Sequence, residues 1–408
     1  MAAIISRFFA ADSGNRGMAH FDVGIIGLGA MGSASLHALA LRDAKVIGFD
    51  QLSPPHTAGS SHGHTRIIRE AYYEHPLYVP LVRRAYELWE SLERDAGKAL
   101  LLKTGGVMVG PESGSLVRGA LESARTHAIA HEMLDARMIS ERFPAYRPHD
   151  DWVGLLEHRA GMLFPERCIH AFLSGARSRG AELRLNEAVR RWSSAGKHVV
   201  LETMTGKYEV DRVVVAAGPW LPNLLDSLAM LLPLEIERQL SHWFQPTNAH
   251  DRYLAPGCPV GLWETRENEL FATLPDEGHG VKCGMHHAGA PTSPDSVDRK
   301  VSDAENEAAR LLLDDIMPGA GGRLRESRVC LYTNTPDRHF IIDWLDGGRV
   351  LVVSPCSGHG FKFASAIGEA HADLILDGHC RFDLAARPGR GIAPSLECGP
   401  YLHVPAST

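Results

Sequence analysis

"FDVGIIGLGAMGSASLHALALRDAKVIGFD" occupies residues 21–50, and the order of its patterns decides the fold. "FDVGIIG" predicts a buried strand, "GLGAMG" a glycine turn, "SASLHALALR" a helix, and "AKVIGFD" a second buried strand ending on Asp50. Gly27, Gly29 and Gly32 fit the GxGxxG spacing, and Asp50 stands 18 residues beyond the last of them. In such a unit the acid meets the ribose hydroxyls of an adenosine. Side-chain-free turns let a pyrophosphate reach backbone N–H groups and the positive end of the helix. A tight turn without a ligand is the bland alternative; strand, turn, helix, strand and acid in sequence favour dinucleotide binding.

Outward from this unit, "LVRRAYELWESLERDAG" (81–97) has apolar residues at 82, 85, 88, 89 and 92, the stripe of an amphipathic helix. A second helix is predicted near 166–180. It leads into "ELRLN", "HVVLET" and "KYEV", three short strands, and then "RVVVAAGPW", a buried strand ending on Gly218. Between 236 and 330 the pattern becomes strands separated by Gly-, Pro- and Asp-rich loops, with one helix near 303–317. "RVLVVSPCSGHGFKFASAIGEAHADLILDG" then repeats the strand, glycine turn and helix, so the chain returns to its first domain. The expected fold class is α/β with two discontinuous domains. Residues 18–100, 163–235 and 331–394 form the nucleotide domain, and 101–162 with 236–330 form a mainly antiparallel domain. Residues 1–17 are expected to be a flexible extension and 395–408 a C-terminal tail.

Composition narrows the class of function. Of 408 residues, 44% are hydrophobic and 22% charged, a globular-enzyme profile. A net charge of -7, with basic residues scattered along the chain, leaves no footprint for nucleic acid. No apolar run reaches the ~18 residues of a membrane span. Seven cysteines without a CxxC pair argue against a disulfide framework and for a reducing, cytoplasmic compartment.

Four clusters could carry chemistry. "GSSHGHTRIIREAY" (59–72) gathers His62, His64, Thr65, Arg66 and Arg69 behind a Gly-Ser turn, where a solvated loop is the neutral alternative. "HGVKCGMHH" (279–287) places Lys282 and His286 at even spacing, on one face of a strand. "CSGHGFKFAS" (356–365) sets Gly358, Gly360 and Lys362 at the start of an apolar helix; a cation is disfavoured there by the helix dipole, so an anionic ligand is expected. "RVCLYTNTPD" (328–337) carries Cys330 within a strand, where a free thiol most simply packs as a small hydrophobe. The histidines lack HExxH or Cys/His metal spacing, and no GxSxG elbow is present, so neither a metal site nor a serine hydrolase is expected.

From about Phe21 to Pro388 the chain resembles the monomeric sarcosine oxidase and N-methyltryptophan oxidase family of flavoprotein amine oxidases. "PPHTAGSSHGHTRIIREAY", "KTGGVMVGP", "GPWLPNLL", "VCLYTNTPDRHFIID" and "SGHGFKFASAIGE" fall in family order. The resemblance implies a glutathione-reductase-like FAD domain with FAD attached through an 8α-S-cysteinyl thioether, and Cys330 holds that position. It further implies His62 and Arg66 beside the flavin, Arg69 and Lys362 on the substrate carboxylate, Lys282 as the oxygen-activating group and His286 facing the amine. Tyr332 and Gly358 line the same pocket, and Thr65, Gly218 and Gly360 join the glycine turn in holding the cofactor. Two features depart from the family: His64 stands where relatives have an acid, and Ala272 and Leu274 replace an aromatic wall. The activity implied is oxidation of an N-methyl amino acid, such as sarcosine or N-methyltryptophan, by a monomer that uses oxygen. The imine then yields formaldehyde, the free amino acid and hydrogen peroxide. A cyclic or glycated substrate, and a dehydrogenase passing electrons to a quinone or protein, remain open.

Overall fold

The computed structural model describes residues 19–226, 232–247 and 250–382. The segments expected as extension (1–17) and tail (395–408) lie outside these residues. Strand His20–Ile26, helix Ala30–Ala40 and strand Val46–Asp50 form the βαβ unit. Its helix is apolar on nearly every side, which only a fully covered helix tolerates. Accordingly it lies between the sheet and the helices Pro165–Ser178 and Ala364–Leu376. The last of these approaches closely at Gly368, where a Cβ would fall 2.6 Å from the backbone of Ala34. The C-terminal helix thus docks on the first helix of the chain through a residue without a side chain.

The eight-stranded sheet runs Arg191–Ala195, His198–Glu202, Lys207–Val215, His20–Ile26, Val46–Asp50, Glu182–Leu185, with Val350–Ser354 and then Ile341–Leu345 attached through Lys207–Val215. The segments "KYEV" and "RVVV", expected as two strands, are one. Its first half pairs antiparallel with His198–Glu202 and its second half parallel with Val350–Ser354. The polar Asp211 and Arg212 sit where the neighbour changes, so they interrupt the apolar pattern without interrupting the backbone. Strand Arg191–Ala195, rich in serine and arginine, carried no strand signal in the sequence.

The second sheet has nine strands and is antiparallel except where Val260–Glu264 joins Gly106–Pro111. Its longest pair is Glu235–Gln245 with Arg323–Asn334. The latter strand runs unbroken through the boundary expected between 330 and 331, because the stop signal is the Thr-Pro-Asp turn four residues later. A three-stranded sheet, Arg66–Ile68 with Gly161–Leu163 and Leu101–Lys103, links the two larger ones.

Because Gly368 has backbone against it, Gly368→Val should destabilise the fold by about 1–3 kcal/mol through overpacking. Urea unfolding should show a lowered midpoint at unchanged m-value.

Candidate active site

A cavity of about 580 Å³ opens at the C-terminal ends of the parallel strands, where the first sheet faces the second. Such ends are where doubly wound sheets take ligands. The glycine turn forms one wall. Gly27 has φ +88°, and a Cβ there would lie 2.5 Å from the Ala216 carbonyl oxygen, whereas Gly29 faces open space with nothing within 4 Å. Asp50 accepts the amide N–H of Leu28 and of Leu52, both at 2.8 Å, and its carboxylate lines the cavity. Burial raises its pKa, and those two amides oppose the rise. Thr65, Gly218 and Gly360 also line the cavity.

The 59–66 loop closes over this wall. Arg66 donates to the carbonyls of Thr65 (2.9 Å) and Ser60 (3.0 Å), and its Nη2 lies 3.5 Å from the Sγ of Cys330. Cys330 is buried at the cavity edge, its Sγ 3.3 Å from the Ser60 carbonyl oxygen. His62 is buried with neither ring nitrogen paired, and burial, then the charge of Arg66, depresses its pKa to about 3. His64 points elsewhere, stacked on His279 at 3.7 Å and bonded to Glu326 at 3.1 Å.

Strand Val281–His286 delivers Lys282 and His286 to the cavity, as alternation requires. The Lys282 ammonium is buried and donates to the carbonyls of Gly63 and Thr65, both at 2.7 Å. Burial, then Arg66, holds its pKa well below the usual lysine value. His286 meets the Tyr332 hydroxyl through Nδ1 at 3.1 Å, and burial with nearby His287 and His359 keeps its imidazole neutral. Gly358, at φ +76°, packs against both; a Cβ there would lie 2.6 Å from the tyrosine ring and 2.7 Å from the histidine ring. Between Lys282 and His286 stands Gly284, paired across the sheet with Ala272, so this stretch of floor has almost no side chain. Leu262 and Leu274 flank it.

Arg69 and Lys362 converge on Tyr72, the guanidinium 4.5 Å and the ammonium 5.0 Å from its ring centre. Lys362 sits in the single turn Phe361–Phe363 ahead of helix Ala364–Leu376 and donates to the His359 carbonyl at 2.8 Å. Burial, then Arg69, lowers its pKa to about 7, with Glu74 opposing. Arg69 is itself engaged by Glu74 at 2.6 Å. Glu74 lines the cavity and had no mark in the sequence, since its partner lies five residues away across a turn.

Residues 22–374 match the FAD dependent oxidoreductase family. The chain belongs to that family. It is 39% identical over 363 residues to the monomeric sarcosine oxidase of Streptomyces avermitilis, covering 88% of this chain and 94% of that one. It is 34% identical over 368 residues to the N-methyl-L-tryptophan oxidase of Salmonella arizonae, covering 89% and 97%. Among solved structures, NikD, an unusual amino acid oxidase essential for nikkomycin biosynthesis, superposes with a TM-score of 0.78 at 22% identity, covering 90% of this chain and 96% of that one. The L-proline dehydrogenase of P. horikoshii does so with 0.78 at 19%, with the same coverage. These two share the fold. The FAD-dependent oxidoreductase assignment fits the cavity: Ser60 and Ser354 line it with buried, unpaired hydroxyls, while His62, two residues on from Ser60, is buried and unpaired without itself lining the cavity. Buried polar atoms are rarely left unsatisfied, and a polar cofactor beside the bare Gly29 would supply partners.

Because Lys362 is charged only below its pKa, a small monocarboxylate such as acetate should bind the flavoprotein best below about pH 7. Its affinity should fall as pH rises further, by up to about tenfold per unit once the lysine is the limiting group. Lys362→Met should bind weakly and flatten that slope, as read by flavin difference spectra across pH.

Proposed function

We propose that this enzyme oxidises the N-methyl group of an amino acid, with oxygen as acceptor: N-methyl amino acid, oxygen and water give amino acid, formaldehyde and hydrogen peroxide. The observation that carries this is the meeting, in one cavity, of the Arg69–Lys362 cation pair with a neutral His286 and a separate buried ammonium, Lys282. The relatives named for sarcosine and N-methyl-L-tryptophan support the same substrate class. Cys168, Cys258, Cys283, Cys330 and Cys356 are free thiols, in keeping with a reducing, cytoplasmic setting, and we read the working unit as a monomer.

FAD, when bound, supplies the acceptor for the electron pair and hydrogen removed from the substrate carbon. The glycine turn, Asp50, Thr65, Gly218 and Gly360 would hold its nucleotide, and Cys330 would fix the ring as an 8α-S-cysteinyl thioether beside His62 and Arg66. The remaining work falls to side chains of the chain. Arg69 and Lys362 grip the substrate carboxylate, a fork and a point charge that set its orientation. To do so the substrate must draw Arg69 away from Glu74, so amines without a carboxylate gain little. His286, bonded to Tyr332 through Nδ1, presents its other nitrogen as an acceptor to the amine. Too weak a base to take the amine's proton, it orients the amine, whose proton leaves to solvent before hydrogen is lost from carbon. Lys282 faces the charge that appears on oxygen during its reduction, and a fixed cation lowers that barrier because it acts only as charge develops.

An anaerobic screen of N-methylated, cyclic and glycated amino acids tests the proposal. N-methyl amino acids should bleach the flavin fastest, and aerobic turnover should yield one peroxide per formaldehyde. Bleaching without peroxide would mark a dehydrogenase. Acid-precipitated protein should stay yellow, with the FAD mass on the peptide containing Cys330, and Cys330→Ala should release the flavin. Lys282→Met should slow reoxidation by oxygen on the order of a thousandfold, about 4 kcal/mol of barrier, with far less effect on reduction by substrate. Stopped-flow measurement of the two half-reactions separates these outcomes.

A further inference from the structure

We propose that Glu166 is the positioning residue for Lys282: its carboxylate locks the loop that holds the ammonium and keeps that ammonium charged. The inference rests on the role given to Lys282 above.

Glu166 lies in the first turn of helix Pro165–Ser178, 103 residues from the loop in sequence. Its Oε1 accepts the amide N–H of Gly63 at 2.7 Å and of His64 at 3.2 Å. Both residues are in the left-handed region, at φ +96° and +64°. A non-glycine residue such as His64 stays there only when its surroundings impose it. On the other side of the same loop, the carbonyls of Gly63 and Thr65 receive Lys282. The Gly63–His64 peptide therefore lies between a carboxylate at its N–H and an ammonium at its C=O, while the Gly63 N–H and the Thr65 C=O belong to peptides on either side of it. Each charge polarises that shared peptide in the sense that strengthens its bond to the other.

The charged groups facing Lys282 come from several elements. Arg66 and Arg328 repel it, while the Cys330 sulfur and Glu166 attract it, and the Trp243 ring lies 5.2 Å from the ammonium. A thioether at Cys330 carries no charge, which leaves Glu166 as the carboxylate of that set. Glu166 is suited to the task. Burial pushes its carboxyl up, yet the backbone amides of Glu166, His64 and Gly63 bring it below the ordinary range, so it is ionised at neutral pH.

Two substitutions separate charge from geometry. Glu166→Gln keeps an acceptor oxygen for the loop amides and removes the charge; Glu166→Ala removes both. The holoenzyme, labelled at lysine Cε, is titrated by NMR, with the Lys282 signal assigned by its loss in Lys282→Met. Reoxidation by oxygen is followed over the same pH range. In Glu166→Gln, Lys282 should titrate about one unit or more lower, and the alkaline decline in reoxidation should move with it, while the low-pH plateau stays within about twofold of the parent. In Glu166→Ala the plateau itself should fall at least about tenfold, with reduction by substrate affected far less. An unchanged Lys282 titration in Glu166→Gln overturns the proposal, and so does a Glu166→Ala plateau within twofold of the parent. Normal reoxidation in Lys282→Met would instead remove the oxygen role from Lys282, and the NMR titration would still decide whether Glu166 holds it.

Discussion

Four cations, Arg66, Arg69, Lys282 and Lys362, line one cavity, and keeping them there is the constraint on which the rest of the site depends. Burying a charge is costly unless it is paired or hydrogen-bonded. The chain answers differently at each. Arg69 takes a carboxylate, Glu74, while Arg66 and the two lysines take backbone carbonyls. Carbonyls satisfy N–H donors without cancelling the positive field. The wall they line therefore keeps a positive field, and the burial that lowers the Lys362 pKa to about 7 makes its share of that field sensitive to pH near neutrality.

The architecture explains how four distant segments meet. The first sheet supplies the glycine turn and Asp50 at its strand ends. The second supplies Lys282, His286, Cys330 and Tyr332 from strands that alternate toward the cavity. Helix Ala364–Leu376, pressed on helix Ala30–Ala40 at Gly368, carries Lys362 back to the N-terminal unit.

Much of this was legible because local patterns encode it. Continuous apolar runs, GxGxxG and the returning strand-turn-helix marked the nucleotide unit, and even spacing placed Lys282 and His286 on one face. What escaped was set by distant partners. Lys207–Val215 hid as two segments because it serves two different neighbours, a fact of sheet order rather than of its own residues. Glu166 reads as an ordinary acid in a helix first turn, where the dipole favours one; only the fold brings Gly63 and His64 to it. The length of strand Arg323–Asn334 escaped for the same reason: nothing in "RVCLYTN" itself shows that all of it pairs with Glu235–Gln245.

The bare stretch of floor at Ala272 and Gly284 bears on how such an enzyme can change its diet. The charged residues stand on Val281–His286, on the 59–69 segment and in the turn Phe361–Phe363, whereas Ala272 belongs to a separate strand, Leu270–Leu274, and bonds to none of them through its side chain. Shape and chemistry are thus written on separate elements. A lineage can widen or narrow the cavity by exchanging one residue, with the charged groups that line it left in place.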